Sequence, residues 1–150
     1  MFQVSEDRTP VVVSAARTAT GKFGGSLSKI NAPELGAIAA KAALEKAGIA
    51  PDQVDEVIIG THFQAGIGAN SGRQVALGAG CPVEVPAWTV NKNCGTGLKA
   101  INITAQQIML EEGDIFVTGG CDTMSRIPYL SLDTRFGARM GATQMQDGML

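Results

Sequence analysis

The sequence predicts an α/β fold built on a mostly parallel sheet. Three observations carry that expectation. Short apolar runs rich in β-branched residues recur along the chain and read as strands buried on both faces. Longer stretches between them carry apolar residues at helical spacing. Glycines punctuate the joins: 19 of the 150 residues are glycine, roughly twice the usual share, with no collagen-like period.

The elements follow in order. Val11-Val12-Val13-Ser14-Ala15-Ala16 is the first expected strand, and Arg17 to Ser28, with Gly21, Gly24 and Gly25, is a loop. A helix is predicted over Pro33 to Ala47. Pro33 suits a first turn, Glu34 complements the positive helix end, and Leu35, Ile38, Ala39, Ala42 and Ala43 form one apolar face. Gly48 stops it, with Pro51 just beyond. Val57-Ile58-Ile59, inside Val54 to Phe63, is the second strand and ends at Gly60. Ala69 to Leu77 reads as a short helix closed by Gly78 and Gly80. Pro86 to Asn91 is the third strand, with Pro86 at its start because proline cannot donate to a central ladder. Cys94 to Glu112 reads as a helix that is apolar nearly all round, which places it in the interior, and Gly113 ends it. Ile115 to Thr118 is the fourth strand and runs into Gly119-Gly120. The order is βαβαβαβ, the pattern of a parallel sheet with crossover helices. Arg126 to Leu150 breaks the alternation and reads as an excursion or interaction segment. Within it, Met140, Met145 and Met149 are spaced as an amphipathic packing stripe would be.

Composition narrows the function classes. The net charge of −2 leaves no basic surplus for a nucleic-acid backbone. No apolar stretch reaches the ~18 residues of a membrane span. Met1 to Pro10 holds Glu6, Asp7 and Arg8 without the apolar core of a secretory signal, so a cytoplasmic protein is expected. Cys81, Cys94 and Cys121 are odd in number and form no C-x-x-C, and His62 is the single histidine. Neither a disulfide framework nor a zinc site follows from that set. Gly66-Ile67-Gly68-Ala69-Asn70-Ser71-Gly72 imitates a dinucleotide fingerprint, but its spacing is wrong and it follows the second strand. It reads as a turn and helix start.

Asn91-Lys92-Asn93-Cys94-Gly95-Thr96-Gly97-Leu98-Lys99-Ala100 is the stretch that carries chemistry. Cys94 falls at a strand-to-helix turn, where unpaired N–H groups and the helix dipole favour a thiolate. Lys92 adds positive charge if its ammonium points inward. Gly95 and Gly97 keep the first turn bare, so a thioester has room to approach the sulfur. The backbone N–H of Cys94 is a natural oxyanion donor. The same residues also fit a buried cysteine beside a glycine-rich cap, and the local pattern leaves both readings open.

This segment strongly resembles the active-cysteine motif of the thiolase family, the acetyl-CoA acetyltransferases and 3-ketoacyl-CoA thiolases. Further stretches match in order: Ser14 to Gly25, Gln64-Ala65-Gly66 with Asn70 and Arg73-Gln74, Val85-Pro86-Ala87, Gly119-Gly120 with Met124-Ser125, and Arg139-Met140-Gly141. The resemblance covers Val11 to Leu150. It implies an incomplete thiolase N-terminal domain over residues 4–124, stopping before the last strand of its sheet. It also implies the start of a loop and oligomerisation region over 125–150, and no C-terminal domain. It implies Claisen-type acyl transfer by a ping-pong route, with Cys94 as the nucleophile that carries the acyl group. Coenzyme A thioesters are then the substrates, no separate cofactor or metal is expected, and the complete enzyme is a homodimer or homotetramer with no nucleic-acid or membrane partner.

The family's Gly-His-Pro histidine, its second cysteine in a Cys-x-Gly turn and its Asn-Glu-Ala segment are not among these residues. The chain alone is therefore expected to be inactive. His62 reads as loop packing, Cys81 and Cys121 as structural, and Glu111-Glu112 as a solvated helix end. Two alternatives are a non-catalytic interaction module, or split-subunit partner of a thiolase, and a ketoacyl synthase relative sharing the fold.

Overall fold

Strand β1 (Glu56–Gly60) is the axis of the fold. In the computed structural model, which describes residues 8–150, it lies between β2 (Ala87–Val90) and β3 (Phe116–Gly120), and all three strands run parallel. Val57 pairs with Ala87 on one side and Val117 on the other. A central strand of a parallel sheet is covered on both faces, so Val57 and Ile58 are fully buried. Alternation along the strand divides the core. Val57 and Ile59 join Ala40 and Leu44 of α1 (Ala32–Ala47) and Val75, Ala76 and Ala79 of α2 (Ser71–Ala79). Gly60 instead abuts Thr96, at the start of α3 (Thr96–Met109). The result is three layers, with the α/β class and parallel sheet that the sequence predicts. The domain start expected at residue 4 lies outside the described residues.

Several elements depart from expectation. Val11 to Ala16 is not a strand: it joins no ladder, and Val11, Val12 and Val13 are all at least 70% exposed. Its β-branched composition suits a strand, but pairing needs a neighbour, and β3 pairs only with β1 among the described residues. The segment is held at its flanks. Arg8 donates to the carbonyls of Ile108 and Gly113 and pairs with Asp114, and Gly24 N–H donates to Ser125 Oγ.

Helix α1 has Pro33 in its first turn and a left-handed Gly48 cap, as its sequence requires. The face it buries is different: Ala37, Ala40 and Leu44 go inside while Ile38 is exposed. Close approach to α2 selects the small residues. A Cβ on Gly78 would stand 2.7 Å from Ala37 Cβ, so Gly78 is a contact inside α2 and not its end. Gly80, at φ 99°, closes that helix.

Helix α3 begins at Thr96, two residues after Cys94, and is not interior. It buries only Thr96, Ala100 and Thr104, whereas Leu98, Ile101 and Met109 are exposed. The sheet covers one face of α3, and no described element covers the other. Beyond β3 the chain forms one 3₁₀ turn, Met124–Arg126, and a two-residue antiparallel pair, β4 (Tyr129–Leu130) with β5 (Gln146–Asp147). This fits an excursion. The methionine stripe does not form, because Met140 and Met145 lie outside any helix and are exposed.

The start of β3 is fixed by a single carboxylate. Asp55 Oδ2 accepts from the N–H of Asp114 at 2.7 Å and of Ile115 at 2.9 Å. These bonds hold its carboxyl below the ordinary 3.8. A depressed folded-state value gives stability that is present above the unfolded value and lost as pH falls through the folded one. Asp55→Asn is therefore expected to lower the urea midpoint modestly near neutral pH. The gap to the parent should close as the pH falls below 3.8; a gap independent of pH would count against the carboxylate's role.

Candidate active site

The carboxyl ends of the three parallel strands converge on one rim, the usual place for ligands in such sheets. β1 runs out into Thr61-His62-Phe63, β2 into the turn holding Cys94, and β3 into Cys121-Asp122. Cys94 is a free, exposed thiol. The turn around it is closed by Thr96, whose buried side chain accepts from Lys92 N–H at 3.0 Å and donates to the Asn93 carbonyl. Gly95 N–H donates to Lys92 O and Thr96 N–H to Asn93 O, each at 3.1 Å. Asn93 adopts φ +48°, a left-handed conformation that asparagine tolerates better than most side chains. Lys92 is exposed, and the bonds it contributes to the turn are those of its backbone N–H and carbonyl.

The first turn of α3 sits tightly on the sheet. A Cβ on Gly60 would lie 2.5 Å from Thr96 Cγ2, and one on Gly120 would lie 3.1 Å from Gly97 Cα. A Cβ on Gly97 would meet the Gly120 backbone at 3.5 Å, an ordinary contact, so Gly97 faces β3 rather than clearing space over the sulfur. Gly95 has open surroundings, with only Lys92 O within 4 Å of an added Cβ, and it alone of the two keeps the approach bare.

Helix α2 fixes β2, which in turn delivers Cys94. Asn70 caps α2 by accepting from Arg73 N–H at 3.1 Å, and its Nδ2 donates to Ala87 O at 2.9 Å. Thr89 Oγ1 accepts from Gly72 N–H and donates to Asn70 Oδ1. Arg73 spans the Val83 and Val85 carbonyls, both at 2.7 Å. The Gly66 to Gly72 stretch is thus a turn and a helix cap, as expected.

The other sequence candidates separate clearly. Cys81 and Cys121 are buried, and burial pushes both thiols up, Cys121 to about 11. A thiol so held stays protonated at neutral pH, which suits packing and not attack. Cys121 lies 3.7 Å from Thr61 Oγ1 and lines a cleft of about 390 Å³ between the Ala16–Phe23 loop, α1 and Gly120–Ser125. Cys94 does not line that cleft. The His62 imidazole stacks on Phe63, with ring centroids 4.1 Å apart. No three His, Cys, Asp or Glu side chains converge as a metal site among the described residues. Sequence reading overlooked Asp122, and it valued Asn91 and Thr96 only as motif letters. The available signal was a polar residue at each strand's carboxyl end.

Comparison with known proteins identifies relatives of this fold. The family model for the thiolase N-terminal domain matches residues 10–150. An acetyl-CoA acetyltransferase of Cupriavidus necator is 54% identical over 93% of this chain, which spans 36% of that protein. A cytosolic acetyl-CoA acetyltransferase of Gibberella zeae is 50% identical over 93% of the chain and 35% of its own length. The crystal structure of the Bacillus anthracis acetyl-CoA acetyltransferase superposes with a TM-score of 0.86 at 35% identity, again over 93% of this chain and 35% of the other. The chain therefore spans about a third of the length of the relatives it matches.

Proposed function

Because the chain belongs to the thiolase family through its N-terminal domain, we propose that it supplies the nucleophile of an acyl-CoA acyltransferase. One observation carries this reading: the only exposed one of its three cysteines stands where three parallel strands end, two residues ahead of α3. The Cys94 thiolate attacks the thioester carbonyl of an acyl-CoA. The carbonyl carbon becomes tetrahedral, its oxyanion faces the Cys94 N–H, and the coenzyme A thiolate leaves. The acyl group now sits on sulfur. In synthesis, the second cysteine that the family resemblance implies takes an α-proton from acetyl-CoA. The resulting carbanion attacks the acyl-cysteine carbonyl, and a carbon–carbon bond forms. The carbon–sulfur bond to Cys94 breaks, releasing its thiolate and giving 3-ketoacyl-CoA. In degradation, the steps run in reverse. Splitting the transfer at a thioester replaces one hard step with two easier ones.

In this reading residues 4–124 form most of the catalytic N-terminal domain, and 125–150 begin the loop region. On the same reading the 150 residues by themselves are inactive, because they hold no Gly-His-Pro, Cys-x-Gly or Asn-Glu-Ala segment. The uncovered Leu98 and Ile101 face of α3 supports burial against further protein, in a homo-oligomer or against a complementary chain. A cytosolic location is supported by the named location of the Gibberella zeae relative; no helix among the described residues is long and apolar enough to cross a membrane.

The test is a chimera in which this chain replaces the matching first third of the Cupriavidus necator relative. The chimera is expected to cleave acetoacetyl-CoA, and acid quenching in acetyl-CoA should leave an acetyl group on the Cys94 peptide. A folded chimera that does neither would refute the proposal. Co-purification of a separate partner chain that restores activity to the isolated 150 residues would favour the split-subunit reading.

A further inference from the structure

Two side chains tie the ends of all three strands together. Asp122 follows β3, and its Oδ1 accepts from the N–H of His62 at 2.9 Å and of Phe63 at 3.1 Å, in the segment leaving β1. The carbonyl of that same His62 accepts from Asn91 Nδ2 at 2.8 Å, at the end of β2. Asn91 Oδ1 in turn accepts from Asn93 N–H at 3.0 Å. Asn93 is the left-handed residue immediately before Cys94. The path therefore runs from β3 to the β1 exit, then to β2, and ends one residue from the sulfur.

We propose that Asn91 and Asp122 are positioning residues for Cys94, forming a bracket that holds the nucleophile turn against the ends of β1 and β3. The inference rests on the reading of Cys94 as the nucleophile. Asn91 is suited to the task because its amide both donates and accepts. One half grips the β1 exit and the other sets the backbone of Asn93. Asp122 acts a step further back: without its oxygen, two adjacent N–H groups lose their partner and the His62 carbonyl loses its fixed direction. Thr96 closes the turn from the α3 side. Asn91 thus resists a swing of the turn away from the rim, in which Asn93 relaxes to negative φ. That movement displaces the sulfur from its place at the strand ends, ahead of the first turn of α3.

The experiment is alkylation of the full chain by iodoacetamide under native conditions, read at each cysteine by mass spectrometry. Buried Cys81 and Cys121 report unfolding. Asn91→Ala and Asp122→Ala are each expected to slow alkylation of Cys94 by about fivefold, which converts to ~1 kcal/mol, the net worth of one hydrogen bond, with Cys81 and Cys121 still unlabelled. Asp122→Asn keeps an acceptor oxygen and should retain the parent rate. The double alanine variant should be no slower than the slower single, because both break one path. An unchanged Cys94 rate in either alanine variant overturns the bracket. So does labelling of Cys81 and Cys121 in step with Cys94, or a double variant whose effects simply add. These readouts need no turnover, so an inactive chimera with these results intact would overturn the acyl-transfer reading alone.

Discussion

Gly72→Ala is expected to cost the domain about 3 kcal/mol or more, the upper end of overpacking penalties. Gly72 lies in the first turn of α2, directly over β2. A Cβ there would stand 2.0 Å from the Trp88 carbonyl oxygen and 2.6 Å from its carbon. Both are backbone atoms of a paired strand, so no rotamer change relieves the overlap. Either α2 lifts from the sheet or β2 leaves β1. Lifting α2 strains the bond from Gly72 N–H to Thr89 Oγ1 at 2.8 Å, the Asn70 bridge to Ala87 and the Arg73 clasp on Val83 and Val85. Alanine's better helix propensity returns only ~1 kcal/mol. Set against a typical total stability of roughly 5–15 kcal/mol, the loss is a large fraction. Urea unfolding followed by circular dichroism measures it. Gly119→Ala is the control, because a Cβ on that glycine of β3 meets nothing within 4 Å. Equal midpoints for the two variants would show that the contact between α2 and β2 is softer than its geometry implies.

The contrast between these two glycines shows where sequence reading succeeds and where it stops. Val57-Ile58-Ile59 announces a buried strand because a run of β-branched residues needs cover on both faces, and β1 has it. Gly48 announces a helix end because the left-handed cap is a local requirement. Nothing local distinguishes Gly72 or Gly78 from a terminator: what makes each a glycine is an atom on another element, Trp88 O or Ala37 Cβ. The same limit explains α3. Its sequence demands burial for Leu98 and Ile101, but it cannot say whether the cover comes from the sheet, from more of the chain or from another molecule. The sheet covers only the Ala100 and Thr104 side. Val11 to Ala16 fails for the corresponding reason, since strand composition does not contain the partner that makes a strand.

The site divides in the same way. Cys94, the proposed nucleophile, is legible as a candidate because a cysteine followed by Gly95 at a strand-to-helix turn is a local chemical pattern. Asn91 and Asp122 are not, because their meaning depends on β1 lying between β2 and β3. Once that order is known, residues 91 and 122 flank the exit of the central strand from its two sides. The exposure pattern then separates the three cysteines, with one open and two buried, which the spacing of the cysteines could not do.

Cys94→Ser, made in the chimera with the Cupriavidus necator relative, is expected to lower turnover by at least ~10³-fold with little change in stability. The fold should be indifferent, because Cys94 is exposed and serine differs by one atom. The chemistry is not indifferent. A serine hydroxyl holds its proton far more tightly than a thiol, so the base that suffices for sulfur leaves almost no alkoxide. Acylation of cysteine by acyl-CoA exchanges one thioester for another, and the acyl group stays activated for the second transfer. Acylation of serine makes an oxygen ester, which is less reactive toward a carbanion, so any intermediate that forms becomes a trap. The two half-reactions therefore fail for separate reasons. Rapid-quench measurement of acetylation and steady-state thiolysis distinguishes them. The corresponding Cys121→Ser change gives the opposite profile, lowering the melting temperature because that side chain is buried beside Gly36 in the core cluster that also holds Val75. A Cys94→Ser chimera within about tenfold of parent turnover would remove Cys94 from the nucleophile's role, since loss of a covalent nucleophile leaves only binding and electrostatic assistance.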